Sequence, residues 1–318
     1  MRILVTGAAG FVGSHLCEKL AEEGHDVLGL DAYTDYYCEE LKRLNANDLA
    51  SKGISVAELD LVQDPLHEVL EGVEVVYHLA AQPGISATTP FDTYLRNNIA
   101  ATHRLLLAAQ KVSALRCFIN VATSSVYGKQ ATEGEETAPQ PTSYYGVTKL
   151  AAEQLVLSFQ RDKGFPACSL RLFSVYGPRE RPEKLYPKLI HSILSGTECP
   201  LYEGSKSHSR SFTFIDDIVA GFMAVLDHID GVLGEIFNIG SDIELTTGEA
   251  IQIVEGLVGK KARFKHLPAR SGDQLRTHAN IGKAQRLLSY RPSTKPEVGF
   301  QKEIDWYRDR IFGKVKVY

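Results

Sequence analysis

Cysteine is scarce in this chain of 318 residues. The five residues, Cys17, Cys38, Cys117, Cys168 and Cys199, are odd in number, scattered and never spaced C-x-x-C. That usage argues against a disulfide frame or a zinc site and for reduced thiols in a cytoplasmic protein. No surplus of either charge is present: 35 Lys and Arg face 39 Asp and Glu, for a net charge of −4. Composition therefore carries no footprint for nucleic acid or an anionic membrane surface. No apolar run approaches the roughly 20 residues of a membrane span. The first apolar strand begins at Arg2, which leaves no room for a signal peptide. Internal repeats and low-complexity tracts are lacking, as is any His/Cys/Asp grouping with metal-ligand spacing or a Ser/His/acid constellation.

What is present is an alternation of short apolar strands with amphipathic helices. Residues 2–5 form a strand and run directly into Gly7-Ala8-Ala9-Gly10-Phe11-Val12-Gly13. A helix follows, with Leu16, Cys17, Leu20 and Ala21 on one face, and then a second strand ending at Asp31, 18 residues after Gly13. Glycines at this place let backbone N–H groups approach a pyrophosphate at a helix N-terminus. Asp31 can accept hydrogen bonds from ribose hydroxyls and would repel a 2′-phosphate. No Arg lies within 32–40, so NAD is expected rather than NADP.

The alternation continues with strands at 56–61, 73–79, 116–122 and 167–172 and helices at 94–111 and 145–163. It predicts an α/β fold, a doubly wound parallel sheet of Rossmann type, with ligands at the strands' carboxyl ends. Gly7, Asp31, Ala81, Thr123 and Ser174 all fall there. After residue 173 the texture changes to basic turns and Gly/Ser loops, which predicts a smaller interleaved C-terminal substrate lobe. The expected division is 1–173 with 209–241 for the nucleotide-binding part, and 174–208 with 242–318 for the substrate lobe. Stretches 212–218 and 235–239 read as returns to the sheet edge, and 242–318 as holding two helices.

Chemistry concentrates between 123 and 149. Thr123, Ser124 and Ser125 end a strand, and Tyr145 and Lys149 stand four apart at the start of a helix, hence on one face. A cation beside a phenol lowers its pKa from about 10, so Lys149 is expected to prepare Tyr145 as a base. The spacing alone is weak, because Tyr202 and Lys206 share it inside a Gly/Ser loop. Thr123 is the first choice for aligning a substrate oxygen with Tyr145. Five arginines in later turns (179, 181, 210, 270 and 276) are candidates for a diphosphate or carboxylate, of which two or three are expected to meet one. His78, in an apolar strand, reads as a satisfied core histidine.

Taken together, G-A-A-G-F-V-G at 7–13, Asp31, Asp60-Leu61, Leu79-Ala80-Ala81, Asn98, T-S-S-V-Y-G at 123–128, Y-G-V-T-K at 145–149, Y-G-P-R at 176–179, R-S-F-T-F-I-D-D at 210–217 and R-S-G-D at 270–273 make the chain resemble the extended short-chain dehydrogenase/reductases, in their sugar-nucleotide epimerase and dehydratase group. The resemblance covers nearly the full length. It implies NAD held by Gly7, Gly10, Phe11, Val12, Gly13, Asp31, Asp60, Leu61, Leu79, Ala80, Ala81, Asn98, Tyr145 and Lys149. It also implies a UDP-sugar substrate and a homodimer formed through the helices that begin near Tyr94 and Tyr145.

Dehydratases of the group carry an Asp-Glu pair where Ser124 and Ser125 stand, and the UDP-glucuronate decarboxylases carry a Glu at the place of Ser125. Both activities are therefore disfavoured. The remaining pattern, including Asp35-Tyr36-Tyr37 and a hydroxyl at Ser174, is most similar to the UDP-glucuronate 4-epimerases. Carried over, the resemblance gives Tyr145, Lys149 and Thr123 catalytic roles, Ser124, Ser125 and Ser174 the hexose carboxylate, and Arg181, Arg210 and Arg270 the UDP. The alternatives are the same chemistry on UDP-glucose or UDP-N-acetylglucosamine, and a non-catalytic NAD-binding protein.

Overall fold

The computed structural model describes residues 1–86, 88–269 and 274–317. Its main sheet has seven parallel strands: β1 (Arg2–Thr6), β2 (Asp26–Asp31), β3 (Ser55–Glu58), β4 (Val75–His78), β5 (Cys117–Thr123), β6 (Ala167–Leu172) and β7 (Ile236–Ile239). They lie in the order β7-β6-β5-β4-β1-β2-β3. From β1 the chain winds outward through β2 and β3, then returns to β4 and winds the other way. The reversal lies between β1 and β4, and a crevice opens there at the strands' carboxyl ends.

The central strands are buried on both faces, which is why they read as continuous apolar runs. Ile3, Val5, Tyr77 and Ile119 pack on one face against Leu16 and Phe222. The alternate residues Leu4, Val76 and Phe118 pack on the other face against Leu105 and Ala109. His78 is the satisfied core histidine expected of it: its ring nitrogens lie 2.9 Å from Thr6 Oγ1 and 2.9 Å from Thr102 Oγ1. Burial pushes its pKa down to about 3, so it stays neutral.

The second lobe gathers helices Leu185–Ser195, Thr247–Val258 and Pro296–Trp306 around an aromatic cluster. In it Tyr176 and Tyr186 stand 4.5 Å and 4.6 Å from Phe300, centroid to centroid. A small four-stranded sheet joins Ser209–Ser211 to Glu244–Thr246 and Arg276–Thr277 and also takes in Gln130–Ala131, so it draws on both lobes. Among the described residues no helix is long and apolar enough to cross a membrane, and no His/Cys/Asp/Glu group is arranged to hold a metal ion.

Three local expectations need correction. Stretch 212–218 does not return to the main sheet. Thr213–Phe214 pairs with Val175–Tyr176 outside it, and helix Ile215–Asp227 starts at once. The acids Asp216 and Asp217 in that helix's first turn were the available signal. The C-terminal stretch holds a third helix, Gly282–Leu288. The expected single helix at 94–111 is composite: Phe91–Tyr94, a π-helical turn at Leu95–Ala100, then Ala101–Ala109.

Candidate active site

Two tight backbone approaches build the site. Gly7 has φ +72°, and a Cβ on Gly13 would lie 2.2 Å from the Gly7 carbonyl oxygen. Only glycine lets helix Phe11–Glu22 start so close to the end of β1. That helix has no side-chain cap and no acid in its first turn, so its leading N–H groups suit an anion. The second approach involves helix Tyr144–Lys163, which is capped by Ser143 accepting from the Gly146 N–H at 3.1 Å. A Cβ on Gly146 would stand 2.7 Å from the Ser125 carbonyl oxygen. The bare glycine therefore seats the helix directly on the hydroxyl-bearing turn after β5.

These approaches bring most of the expected residues to one cleft of about 480 Å³. Its walls include Gly7, Gly10, Phe11, Val12, Gly13 and Asp31, then Asp60, Leu61, Leu79, Ala80 and Ala81. Thr123, Ser124, Ser125, Tyr145, Lys149, Ser174, Arg181 and Arg210 also line it. Tyr202 and Lys206, the pair with identical spacing, do not line it. Tyr202 ends a peripheral strand and Lys206 sits over the Phe264 ring.

Asn98 stands apart from the other expected cofactor residues. It does not line the cleft but lies behind its wall, 1% exposed. Its Oδ1 accepts from the Gln82 N–H at 2.7 Å, and its Nδ2 donates to Gln82 O and Thr148 Oγ1. Asn98 thus ties the strand-end loop to the helix of Tyr145. Arg270 lies outside the described residues. Of the other four arginines, two are occupied elsewhere. Arg179 forms a bidentate pair with Glu18, at 2.8 and 3.1 Å, and Arg276 one with Glu244, at 2.8 and 3.0 Å. Arg181 and Arg210 remain in the cleft.

Sequence reasoning assigned no role to Arg96, Glu180, Glu183, Lys184 or Gln274, which also line the cleft. Arg96 is ion-paired to Asp60 at 2.6 Å. The Gln274 amide donates to Ser124 O and Gly128 O and steadies the hydroxyl turn. Asp31 closes its own loop: Ala9 N and Tyr33 N donate to its two oxygens at 3.1 and 2.9 Å. The nearby Arg43 guanidinium stacks on Tyr33 and is neutralised by Glu39 and Glu58, so it presents no open cation to a 2′-phosphate.

Opposing influences act on the Tyr145 phenol. Burial raises the Tyr145 phenol's pKa, while the Thr123 hydrogen bond and the Arg181 charge pull it down. Thr123 Oγ1 already accepts from the Ser125 N–H at 3.2 Å, so its own proton is directed to the phenol oxygen.

Lys149 is itself pushed down from 10.5 to about 8 by burial, against the favourable charge of Glu153. Between those two values the unfolded chain binds a proton that the folded chain does not, so stability rises with pH across that window. Below about pH 8 the protein carries a buried ammonium, at a cost of up to about 3 kcal/mol for that shift. Lys149→Met is expected to raise the melting temperature at neutral pH while removing activity. The gain should shrink as pH passes from about 8 to about 10.5; melts across that range check it.

The chain belongs to the NAD dependent epimerase/dehydratase family, which it matches over residues 3–240. Among its relatives, an uncharacterized UDP-glucose epimerase, YtcB, from Bacillus subtilis strain 168 is 39% identical over 309 residues, covering 96% of this chain and 97% of the relative. UDP-glucuronate 4-epimerase 3 of Arabidopsis thaliana is 36% identical, over 96% of this chain and 76% of its own. The crystal structure of UDP-glucuronic acid 4-epimerase from Bacillus cereus, in complex with UDP-glucuronic acid and NAD, superposes with a TM-score of 0.93 at 36% identity, covering 97% of this chain and 99% of that one.

Proposed function

We propose that the protein interconverts the C4 epimers of a UDP-sugar, UDP-glucuronate and UDP-galacturonate first among them, with NAD held in the cleft. The observation that carries this reading is the convergence of Tyr145, Thr123 and Lys149 on the cleft that also holds the Gly7–Gly13 turn and Asp31. The cradle fits the cofactor: the glycine backbone and open helix N-terminus suit its diphosphate, Asp31 an adenosine ribose, and Lys149 the nicotinamide ribose. Bound there, NAD would supply reversible hydride uptake at the sugar's C4. Tyr145 exchanges a proton with the 4-hydroxyl, and Thr123 orients both oxygens. Neither Ser124 nor Ser125 can act as the second acid or base that dehydration needs. Their hydroxyls, with Ser174, can hold a hexose carboxylate by hydrogen bonds without adding charge. Such anchoring slows the decarboxylation to which a 4-keto-glucuronate is prone. The Arg181 charge reaches the Tyr145 phenol, which favours the sugar end for it and leaves Arg210 and Arg270 for the UDP.

The name of the Bacillus subtilis relative favours a second substrate, UDP-glucose. Purified protein incubated with UDP-glucuronate, without added NAD, is expected to yield UDP-galacturonate. Release of a pentose product, or faster turnover of UDP-glucose or UDP-N-acetylglucosamine in competition, would contradict the preferred assignment.

A cytoplasmic homodimer is part of the same reading. Phe91, Leu95, Tyr144 and Val147, at 41%, 42%, 59% and 45% exposure, stand on adjoining helices, and the rings of Phe91 and Tyr144 touch. Val147→Arg is expected to turn a dimer into a monomer in sedimentation analysis. A monomeric wild type would remove the proposal.

A further inference from the structure

The turn at 177–184 is pinned from outside the cleft. Arg179 holds φ +69°, in the left-handed region that a side chain makes unfavourable. Its guanidinium reaches helix Phe11–Glu22 and pairs bidentately with Glu18, at 2.8 and 3.1 Å. The two side chains are only 10% and 14% exposed, so salt and solvent screen the pair little. Glu18 has Lys52 as its other partner, at 3.2 Å. Asp48 lies 3.5 Å from Arg179 but is committed to Arg310, at 2.8 and 3.1 Å. Against the cost of burial, Arg179 and Lys52 hold the Glu18 carboxyl below its ordinary range.

The same turn forms part of the cleft wall, through Glu180, Arg181, Glu183 and Lys184. The Glu180 N–H donates to Gly177 O and the Lys184 N–H to Arg181 O, both at 3.0 Å, so the segment is two linked short turns. Its start is wedged in place. Gly177 has φ +135°, and a Cβ there would stand 2.9 Å from Ile215 Cγ2 and from the Phe214 ring. Two residues later the Glu18 pair offsets the unfavourable backbone at Arg179. One ion pair thus fastens the wall to helix Phe11–Glu22, whose first residues Phe11, Val12 and Gly13 line the same cleft.

We propose that Arg179 is a positioning residue and Glu18 its anchor: their pair holds the turn in its left-handed bend and so sets the wall that meets the nucleotide sugar against the cofactor helix. Arg179 does not itself line the cleft, so its influence passes through the backbone. No member of the wall has to change partner. Arg181 keeps Glu183, 2.8 Å away, and moves with the turn. Without the pair the backbone at Arg179 relaxes toward negative φ, and the wall residues that follow it shift. The anchoring stands on the geometry alone; its effect on the substrate rests on the function proposed above.

The test compares the wild-type holoenzyme with Glu18→Gln, which keeps the shape of the anchor without its charge, and with Arg179→Gly, which removes the pair and frees the bend. Amide hydrogen exchange in peptides covering 177–184 should speed up roughly tenfold in both variants, with β5 unchanged. Unchanged exchange in the turn would overturn the anchoring. The KM for UDP-glucuronate should rise roughly tenfold in each variant, with kcat within about twofold of wild type and bound NAD retained. The double variant should have the KM of Arg179→Gly alone, because both changes break one interaction. Arg179→Lys, which keeps the charge but not the fork, should fall between wild type and Arg179→Gly. A wild-type KM in both variants, with only the melting temperature lowered, would make the pair structural and overturn the positioning role. Multiplied KM effects in the double variant, or a rise in KM that tracks loss of NAD, would overturn it too. If Arg179→Gly does not fold, Glu18→Gln and Arg179→Lys carry the same comparisons. If the wild type turns over no UDP-sugar, it is the function that fails, and the exchange comparison still decides whether the pair anchors the turn.

Discussion

Tyr145→Phe is expected to lower kcat by roughly 10³–10⁴-fold, the usual worth of a positioned acid–base group, while NAD and UDP-sugar still bind. The phenol borders the cleft and hydrogen-bonds Thr123. The change therefore removes a single oxygen from a pocket whose walls stay in place. Thr123 keeps the Ser125 N–H that it accepts, and its own proton, left without the phenol, borders the cleft, where water can accept it, so the fold should not suffer. Stopped turnover with bound UDP-sugar, read by calorimetry and product analysis, fits a proton-transfer role. Retained turnover would remove Tyr145 from the chemistry.

Arg171→Leu is expected to be the most damaging change away from the cleft. Arg171 and Glu153 form an ion pair at 2.7 Å with side chains 1% and 0% exposed. Arg171 donates through Nε and Nη2 to Glu153 and through Nη1 to Tyr127, whose hydroxyl donates on to Asn238. The network ties the helix of Tyr145 and Lys149 to β6 and β7. Removing one partner leaves a buried carboxylate uncompensated, at a cost of about 3–5 kcal/mol, or on the order of 10 °C in melting temperature. The double variant Arg171→Leu, Glu153→Leu should recover much of that loss, because apolar replacement of a whole buried pair is often neutral. A double variant as unstable as the single one would show that the cost lies in lost packing instead.

The parts of the site legible in the sequence were those fixed by local geometry. The glycines at 7, 10 and 13, the acid ending β2, the hydroxyls ending β5 and the Tyr/Lys pair one helical turn apart all encode their placement within a few residues. The parts that were not legible depend on contacts between distant segments. Arg179 reads as a ligand arginine until Glu18, 161 positions away, occupies it. Asn98 reads as a cofactor contact, and the fold buries its amide against Gln82 and Thr148. An i, i+4 spacing says that two side chains share a face, not that their charged ends meet, and burial is a property of the whole fold. Stretch 212–218 was read by its apolar content alone, although its two acids mark a helix start.

The central claim is that C4 of the sugar is oxidised and re-reduced inside this cleft without exchange with solvent. The most direct measurement uses UDP-glucuronate carrying deuterium at C4, turned over in ordinary water and followed by NMR. The account predicts UDP-galacturonate that keeps its deuterium at C4. Product with hydrogen at C4 would contradict it.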